Sequence, residues 1–104
     1  MTNVKVTCNC GAIYEVAAPS QNACKAPTIW QSYDIEFTAP KCADGKKTEP
    51  PVITVVHNGV KVHDKRDVPD KTGYGDKEAD TPGPINLQDH GNPVVFRNVW
   101  MVQK

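Results

Sequence analysis

The sequence predicts an all-β fold, an antiparallel β-sandwich, from three observations. Nine prolines and seven glycines interrupt the 104 residues so often that no window of about eleven residues keeps the 3.6-residue period of an amphipathic helix. Apolar and polar residues instead alternate in short runs, as in strands that bury one face. Asn58-Gly59 lies between two such runs and is typical of a hairpin loop. We expect roughly six or seven strands in a single domain that spans residues 1–104.

Three of the predicted strands lie in the first part of the chain. They cover residues 4–10, 12–17 and 29–38. In the third strand Tyr33, Ile35 and Phe37 share one face, and the acidic side chains Asp34 and Glu36 share the other. This alternation predicts an antiparallel strand with one buried face.

The clearest local signal is a hairpin formed by residues 52–57 and 60–64. Asn58 and Gly59 adopt positive φ at low cost, which suits a type I′ turn, and this turn fixes the register. His57 then lies at the rim of an apolar face, while His63 looks outward. The predicted pairs are His57 with Val60, Val55 with Val62 and Ile53 with Asp64.

The rest of the chain is expected to form two connections and two final strands. Residues 39–51 are a polar connection in which Asp44-Gly45 and Pro50-Pro51 stop strands. Residues 65–84 are rich in charge, Gly and Pro, and form a long loop, either mobile or used for binding. Residues 85–88 and 94–102 are apolar on both alternating faces, as central strands are.

Composition argues against two classes of partner. Twelve acidic residues balance twelve basic ones and no window is dense in Lys or Arg, so no nucleic-acid partner is expected. No apolar run approaches the roughly 20 residues that cross a bilayer, so no membrane partner is expected either. The first residues lack the apolar block of a signal peptide, so we expect no export signal in them.

The four cysteines, Cys8, Cys10, Cys24 and Cys42, allow two disulfides, a zinc site or four thiols. Zinc ribbons use Cys pairs separated by two residues, whereas one residue separates Cys8 from Cys10. On a strand these two side chains share a face, where neighbouring thiols rarely close a ring. The spacing favours free thiols, with a disulfide or a metal site as the alternatives.

A polar segment, Gln88-Asp89-His90-Gly91-Asn92-Pro93, separates the two final predicted strands. Its Gly and Pro force a turn, and its other side chains are capable of proton or metal chemistry. Further short motifs are distributed along the chain on both sides of this segment. They are Gly11-Ala12-Ile13-Tyr14, Ala18-Pro19, Asn22-Ala23, Trp30-Gln31-Ser32-Tyr33-Asp34-Ile35, Phe37, Ala39-Pro40, His57-Asn58-Gly59-Val60, His63-Asp64, Pro82-Gly83-Pro84, Leu87-Gln88-Asp89-His90-Gly91-Asn92-Pro93-Val94 and Phe96-Arg97-Asn98-Val99-Trp100.

In this order the motifs resemble the 3-keto-disaccharide hydrolase domain family, common in bacteria that degrade polysaccharides, with residues 11–102 corresponding to its C-terminal half. The resemblance implies a concanavalin-like jelly-roll sandwich, truncated here, and cleavage of glycosides that carry a ketone at sugar carbon 3. The family is usually secreted or periplasmic, which this N-terminus does not support, so the localisation stays open. Half a sandwich leaves strand edges and an apolar face uncovered. We therefore expect a homodimer that completes the sandwich, with a rearranged roll as the alternative.

The implied chemistry assigns roles to named residues. A ketone acidifies the adjacent C–H, so a base can remove that proton while the glycosidic oxygen leaves by elimination, and water is then added. His90 is the candidate base or metal ligand, and Asp89 is a second base or the group that orients His90. Gln88 and Arg97 are the candidate donors to sugar hydroxyls or an oxyanion, unless a divalent metal holds the enolate charge. The candidate sugar-stacking platforms are Trp30, Tyr14 and Trp100.

Each assignment has a structural alternative. Asp89, His90 and Asn92 would then belong to a simple turn, with the Asp and Asn side chains capping backbone donors. Arg97 would pair with an acidic side chain, and Trp30 and Trp100 would lie in the core. The alternative function is correspondingly a non-catalytic carbohydrate-binding or structural module.

Overall fold

The chain forms a three-stranded sheet and a separate two-stranded hairpin. The structure is a computed structural model that describes residues 10–13, 16–69, 82–87 and 91–104. The strands are β1 (Tyr33–Thr38), β2 (Lys41–Ala43), β3 (Lys46–Glu49), β4 (Val52–His57) and β5 (Val60–Asp67). The sheet has the order β1-β4-β5, and every strand pair is antiparallel. The five strands of the described residues confirm the predicted fold class, an all-β antiparallel sandwich truncated to part of its strands. In the same part of the chain no helix is long and apolar enough to cross a membrane.

The β4–β5 hairpin confirms the predicted turn and corrects the predicted register. Asn58 and Gly59 have φ values of 52° and 81°, as a type I′ turn requires, and His57 pairs with Val60. Two irregularities then shift the pairing, because β5 contains residues without a direct partner on β4. The predicted pairs of Val55 with Val62 and of Ile53 with Asp64 are therefore wrong. Val55 pairs with His63, and Ile53 pairs with Arg66.

The first irregularity changes which side chains of β5 are buried. Val62 and His63 are adjacent in sequence, yet both are buried, with 2 % and 3 % of their surface exposed. The prediction that His63 looks outward is wrong, because the extra residue in β5 ends the strict in-and-out alternation at this point. At the second irregularity Lys65 has a φ of 46°, and its backbone N–H donates to Thr54 Oγ1 at 3.0 Å.

β1 has the predicted alternation but not the predicted burial. Its register with β4 places Tyr33 opposite His57, Ile35 opposite Val55 and Phe37 opposite Ile53. These three β1 side chains nevertheless remain between 49 % and 60 % exposed. The prediction of a buried face is wrong for the chain by itself, because nothing among the described residues covers this part of the sheet.

The polar connection of residues 39–51 contains a hairpin that the sequence analysis missed. Asp44 and Gly45 have φ values of 52° and 75°, the same turn geometry as Asn58-Gly59. They join β2 to β3, and Lys41 Nζ lies 3.2 Å from Glu49 Oε2 across the pair. Asp44-Gly45 is therefore the turn between two paired strands.

The two final predicted strands are wrong for the residues that the structure describes, since residues 85–87 and 94–102 form no strand. The large apolar side chains there are exposed, among them Phe96 at 52 % and Trp100 at 77 %. The predicted turn is present at Gly91, whose φ is 83°, and the Val94 N–H donates to the Asn92 carbonyl at 2.7 Å. Of the two N-terminal predicted strands, residues 4–9 lie outside the described residues, and residues 12–17 contribute one bridge, Ile13 with Ala17.

Six side chains of the described residues are buried. They are Ala17 in the segment before β1, Pro51 just before β4, and Val55, His57, Val62 and His63 in the β4–β5 hairpin. The segment is attached to β5 by Ser20, whose N–H donates to the Val62 carbonyl at 2.9 Å and whose hydroxyl donates to the Lys61 carbonyl at 3.1 Å. Two of these six buried residues, His57 and His63, are histidines, so the small core contains ionisable side chains.

Candidate functional site

The candidate site is centred on His57, the last residue of β4. His57 has 0 % of its surface exposed, so the expectation of a rim histidine is wrong. Its cross-strand partner Tyr33 covers it, because the register of β1 against β4 places the two side chains directly opposite each other. Their rings are stacked, with centroids 4.3 Å apart and planes 6° apart.

Burial affects the ionisation of both rings. It lowers the pKa of His57 below its ordinary value of 6.5, because desolvation disfavours the imidazolium. It raises the pKa of Tyr33 above its ordinary value of 10.0, because desolvation disfavours the phenolate. Both side chains are therefore neutral near pH 7.

Gln31 fixes the tautomer of His57. The Gln31 Oε1 atom lies 3.0 Å from His57 Nε2 and accepts from the Lys25 backbone N–H at 3.2 Å. A backbone N–H only donates, so the Gln31 atom in this position is the carbonyl oxygen and His57 Nε2 carries the proton. The lone pair of the neutral ring is then on Nδ1, which has no hydrogen-bond partner among the described residues.

Asn58 connects the hairpin turn to the loop before β1. Its side-chain oxygen accepts from the Ser32 N–H at 2.9 Å, and its own N–H donates to the Ser32 carbonyl at 2.9 Å. Its Nδ2 donates to the Ala23 carbonyl at 2.8 Å. The turn residue therefore positions the two ends of the loop that carries Cys24 and Gln31.

Cys10 and Cys24 form a disulfide beside this cluster, with their Cα atoms 6.2 Å apart. The prediction that favoured free thiols is wrong for these two residues and holds for Cys42, which is half-buried. Cys8 lies outside the described residues. The loop after Cys10 is also held by His63, whose Nε2 donates to the Gly11 carbonyl at 2.7 Å. Spacing could not show this pairing, because contacts with the distant β4–β5 hairpin help to bring the segments of Cys10 and Cys24 together.

Trp30 and Arg97, two predicted sugar-contacting residues, are brought together. Arg97 Cζ lies 3.9 Å from the centroid of the Trp30 ring, so the guanidinium stacks over the indole. Trp30 is 45 % exposed and Trp100 is 77 % exposed, so the core alternative is wrong for both. The structure shows Arg97 in contact with an aromatic ring, whereas the structural alternative predicted an acidic partner.

The other predicted site residues, Gln88, Asp89, His90 and Tyr14, lie outside the described residues, and their roles stay predictions. Gln31, Tyr33 and the buried His57 had no predicted role in the site. A signal was available, because Gln31 and Tyr33 belong to the segment of residues 30–35 and His57 opens the segment of residues 57–60, both parts of the family resemblance. Only the register between β1 and β4 shows that these two segments meet.

The antiparallel strands, with an exposed indole–guanidinium pair beside them, define an all-β sandwich domain. The chain belongs to the family described as the 3-keto-alpha-glucoside-1,2-lyase-like domain, which its sequence matches over residues 2–102. The family resemblance drawn from the motifs is thereby confirmed. A comparison with curated proteins finds no match.

The chain is similar to a solved structure. That structure is described as a "putative glycosyl hydrolase" from Parabacteroides distasonis, and the two chains share 31 % sequence identity with a TM-score of 0.64. The match covers 75 % of this chain and 34 % of the other one, so the chain spans about a third of the length of its structural neighbour. Family and neighbour together place this chain among carbohydrate-related domains.

Proposed function

We propose that this chain cleaves glycosides that carry a ketone at sugar carbon 3, by base-promoted elimination of the glycosidic oxygen. The observation that carries the proposal is the stacking of Arg97 on Trp30, with Cζ 3.9 Å from the ring centroid. Two residues that are far apart in sequence, each expected to contact sugar, meet at an exposed position next to Gln31. The family description, a 1,2-lyase-like domain for 3-keto-alpha-glucosides, supports elimination as the chemistry.

Stacking is a suitable arrangement for an arginine that binds an oxyanion. The indole contacts the flat face of the guanidinium, and the five N–H donors lie in the plane of that group, along its edges. Those edges remain available to a sugar hydroxyl or to the enolate oxygen that forms when the C–H beside the ketone loses its proton. We infer that Trp30 holds the Arg97 side chain in position and that Arg97 stabilises the developing charge.

The proton chemistry is assigned to the segment just before Arg97 in the chain. We propose His90 as the base that removes the proton beside the ketone, with Asp89 orienting or assisting it. Gln88 binds sugar hydroxyls, and Tyr14 provides a stacking surface. The turn at Gly91, with its φ of 83°, separates these residues from the segment that carries Arg97.

A second copy of the chain is proposed as the partner that completes the sandwich. The exposed Ile35 and Phe37 of β1 and the exposed apolar side chains of residues 94–102 are surfaces that the rest of a sandwich would cover. Among the described residues β1 pairs only with β4, so its other edge is available to a strand from another chain. A homodimer would cover both surfaces.

The test is turnover of a 3-keto disaccharide by the purified full chain, with added divalent metal and with a chelator. We expect product formation that His90→Ala abolishes and that Arg97→Met reduces strongly, because each variant removes a group needed in the transition state. Arg66→Met, which alters an exposed arginine on β5, is the matched control and should leave turnover unchanged.

Binding measured in parallel separates the two functional classes. Substrate binding without turnover in the unmodified chain would contradict the enzyme and support the non-catalytic carbohydrate-binding module. Turnover that survives His90→Ala would contradict the assignment of the base. Circular dichroism of each variant shows whether a loss of activity reflects a loss of fold.

A further inference from the structure

Three metal-binding atoms meet at a position that the proposed reaction does not use. The two sulfur atoms of Cys10 and Cys24 and a ring nitrogen of His57 all lie within 4.8 Å of one another. In a tetrahedral zinc site with sulfur and imidazole ligands, the ligand atoms are about 3.5 to 3.8 Å apart, as follows from the usual metal–ligand bond lengths. Shifts of about 1 Å would bring these three atoms to that geometry.

The buried imidazole of His57 has an unpartnered nitrogen that could bind a metal ion. His57 is fully buried, and its Nδ1 has no hydrogen-bond partner among the described residues. Because Nε2 donates to Gln31 Oε1, the nitrogen with the free lone pair is Nδ1. Metal-binding histidines are oriented in this way, with the second ring N–H donated to an oxygen acceptor. Burial also favours the neutral ring, the form that binds a metal.

Gly11 lets the Cys10 loop approach this nitrogen closely. A Cβ atom at position 11 would lie 3.3 Å from His57 Nδ1, and the φ of Gly11 is +84°. The backbone next to Cys10 therefore passes so close to the unpartnered atom that there is little room for a side chain between them. A larger residue here would press on Nδ1.

The two cysteine-bearing segments are positioned by contacts that do not depend on the disulfide. The Gly11 carbonyl, next to Cys10, accepts from His63 Nε2 at 2.7 Å. The Cys24 N–H donates to Asn22 Oδ1 at 3.0 Å, and the neighbouring Ala23 carbonyl accepts from Asn58 Nδ2. Cutting the S–S bond leaves these attachments in place, so the two thiols stay near each other and near His57.

We propose that the reduced protein binds one Zn²⁺ ion through Cys10, Cys24 and His57, and that the Cys10–Cys24 disulfide is the oxidised, metal-free form of the same site. A dithiol reductant opens the disulfide by exchange: its two sulfurs are oxidised to a disulfide, and the two cysteines become thiols. Zn²⁺ then displaces one proton from each thiol, so two protons are released to solvent. His57 binds as the neutral ring and releases none. Three protein ligands leave the fourth tetrahedral position for water or another ligand.

The test is a Co²⁺ titration of the full chain, reduced with a phosphine and freed of metal, with Zn²⁺ then added to displace the Co²⁺. We expect one Co²⁺ per chain with sulfur-to-metal charge-transfer absorption, and no such absorption from the oxidised protein. Cys10→Ser and Cys24→Ser should each weaken the affinity at least about 100-fold, the upper end of the effect known for residues that only support a ligand. Gln31→Leu, which removes the acceptor that orients His57, should weaken it about 10- to 100-fold.

Cys42→Ser and Cys8→Ser are the matched controls, and both should leave the affinity unchanged. The ¹⁵N resonance of His57 Nδ1 in the unsubstituted protein should shift on addition of Zn²⁺, a readout that needs no change to a buried residue. The proposal is overturned by a reduced chain that binds no metal ion. It is equally overturned if Cys8→Ser or Cys42→Ser removes the binding while Cys10→Ser retains it, or if the His57 resonance stays where it is.

Discussion

The ring of Tyr33 lies flat on the ring of His57, with centroids 4.3 Å apart. The contact joins an exposed strand to the buried centre of the domain, because Tyr33 is 49 % exposed while His57 is fully buried. Tyr33 therefore acts as the cover that keeps water from this histidine. This cross-strand contact contributes both to the burial of His57 and to the pairing of β1 with β4.

Replacing Tyr33 with alanine is expected to uncover His57. The pKa of His57 should rise towards its ordinary value of 6.5, because desolvation is what lowers it. The free energy of unfolding should fall by about 1 kcal/mol or more from the lost ring pair. NMR titration of the His57 ring protons and urea denaturation measure the two effects. Tyr33→Phe keeps the stacked ring and should retain the lowered pKa; a rise in this variant would contradict the role of the ring as cover.

The lowered pKa of His57 predicts a loss of stability in mild acid. As pH falls through 6.5 the unfolded chain takes up a proton on His57 before the folded chain does. The contribution of neutral His57 to the free energy of unfolding is therefore complete above pH 6.5. It is lost as the pH falls from there towards the lower pKa of His57 in the folded state. Tyr33 faces the ring and stays neutral in this range, since its pKa is raised. Urea denaturation at about pH 7.5 and about pH 5.5 should show the decrease, above the range in which carboxylates titrate.

The pH effect has an internal control. In Tyr33→Ala the folded and unfolded pKa values of His57 come closer together, so the decrease between the two pH values should be smaller. An equal decrease in both proteins would assign the pH dependence to other groups.

Gly11→Ala is expected to destabilise the domain more than Gly45→Ala does. Both glycines have positive φ, at 84° and 75°, so an added Cβ strains the backbone at each position by about 1 kcal/mol or more. Only at Gly11 would that Cβ also press on a buried atom, 3.3 Å from His57 Nδ1, whereas nothing lies within 4 Å at Gly45. The difference between the two variants in chemical denaturation isolates the contact with His57. Equal losses would show that the loop moves away from the ring without cost.

The fold could be predicted from the sequence where local chemistry decides the structure. Asn58-Gly59 has one favourable conformation, and that turn was placed correctly together with the first pair of the hairpin. The register failed two residues later, because an irregularity in β5 depends on packing around Val62 and His63 that no local pattern encodes. The hairpin at Asp44-Gly45 was missed for a different reason. Its strands are polar and exposed, so they lack the apolar alternation that identifies a strand.

The candidate site could be predicted only in part, for reasons of sequence distance. Trp30 and Arg97 were identified singly from their residue types, and their contact depends on a long-range approach of two segments. The disulfide between Cys10 and Cys24 and the burial of His57 likewise result from contacts across the sheet. The apolar pattern of residues 94–102 predicted central strands, yet these side chains are exposed in the single chain. A sequence pattern shows that a surface is to be covered but does not identify what covers it.

The exposed face of β1 predicts how the chain associates. If a second copy covers Phe37, Phe37→Lys should raise the dissociation constant of the homodimer at least about tenfold, because burying an aromatic side chain contributes about 1.5 to 3 kcal/mol. Thr38→Lys adds the same charge to the same strand. Thr38 directly follows Phe37, so its side chain points to the opposite face of the sheet, where Glu36 also lies. This control should leave the dissociation constant within about twofold, since exposed substitutions change energies by less than about 0.5 kcal/mol. Sedimentation velocity over a range of concentrations measures all three proteins. A chain that remains a monomer at about 100 µM, a concentration at which even a micromolar dimer is populated, would contradict the proposed assembly.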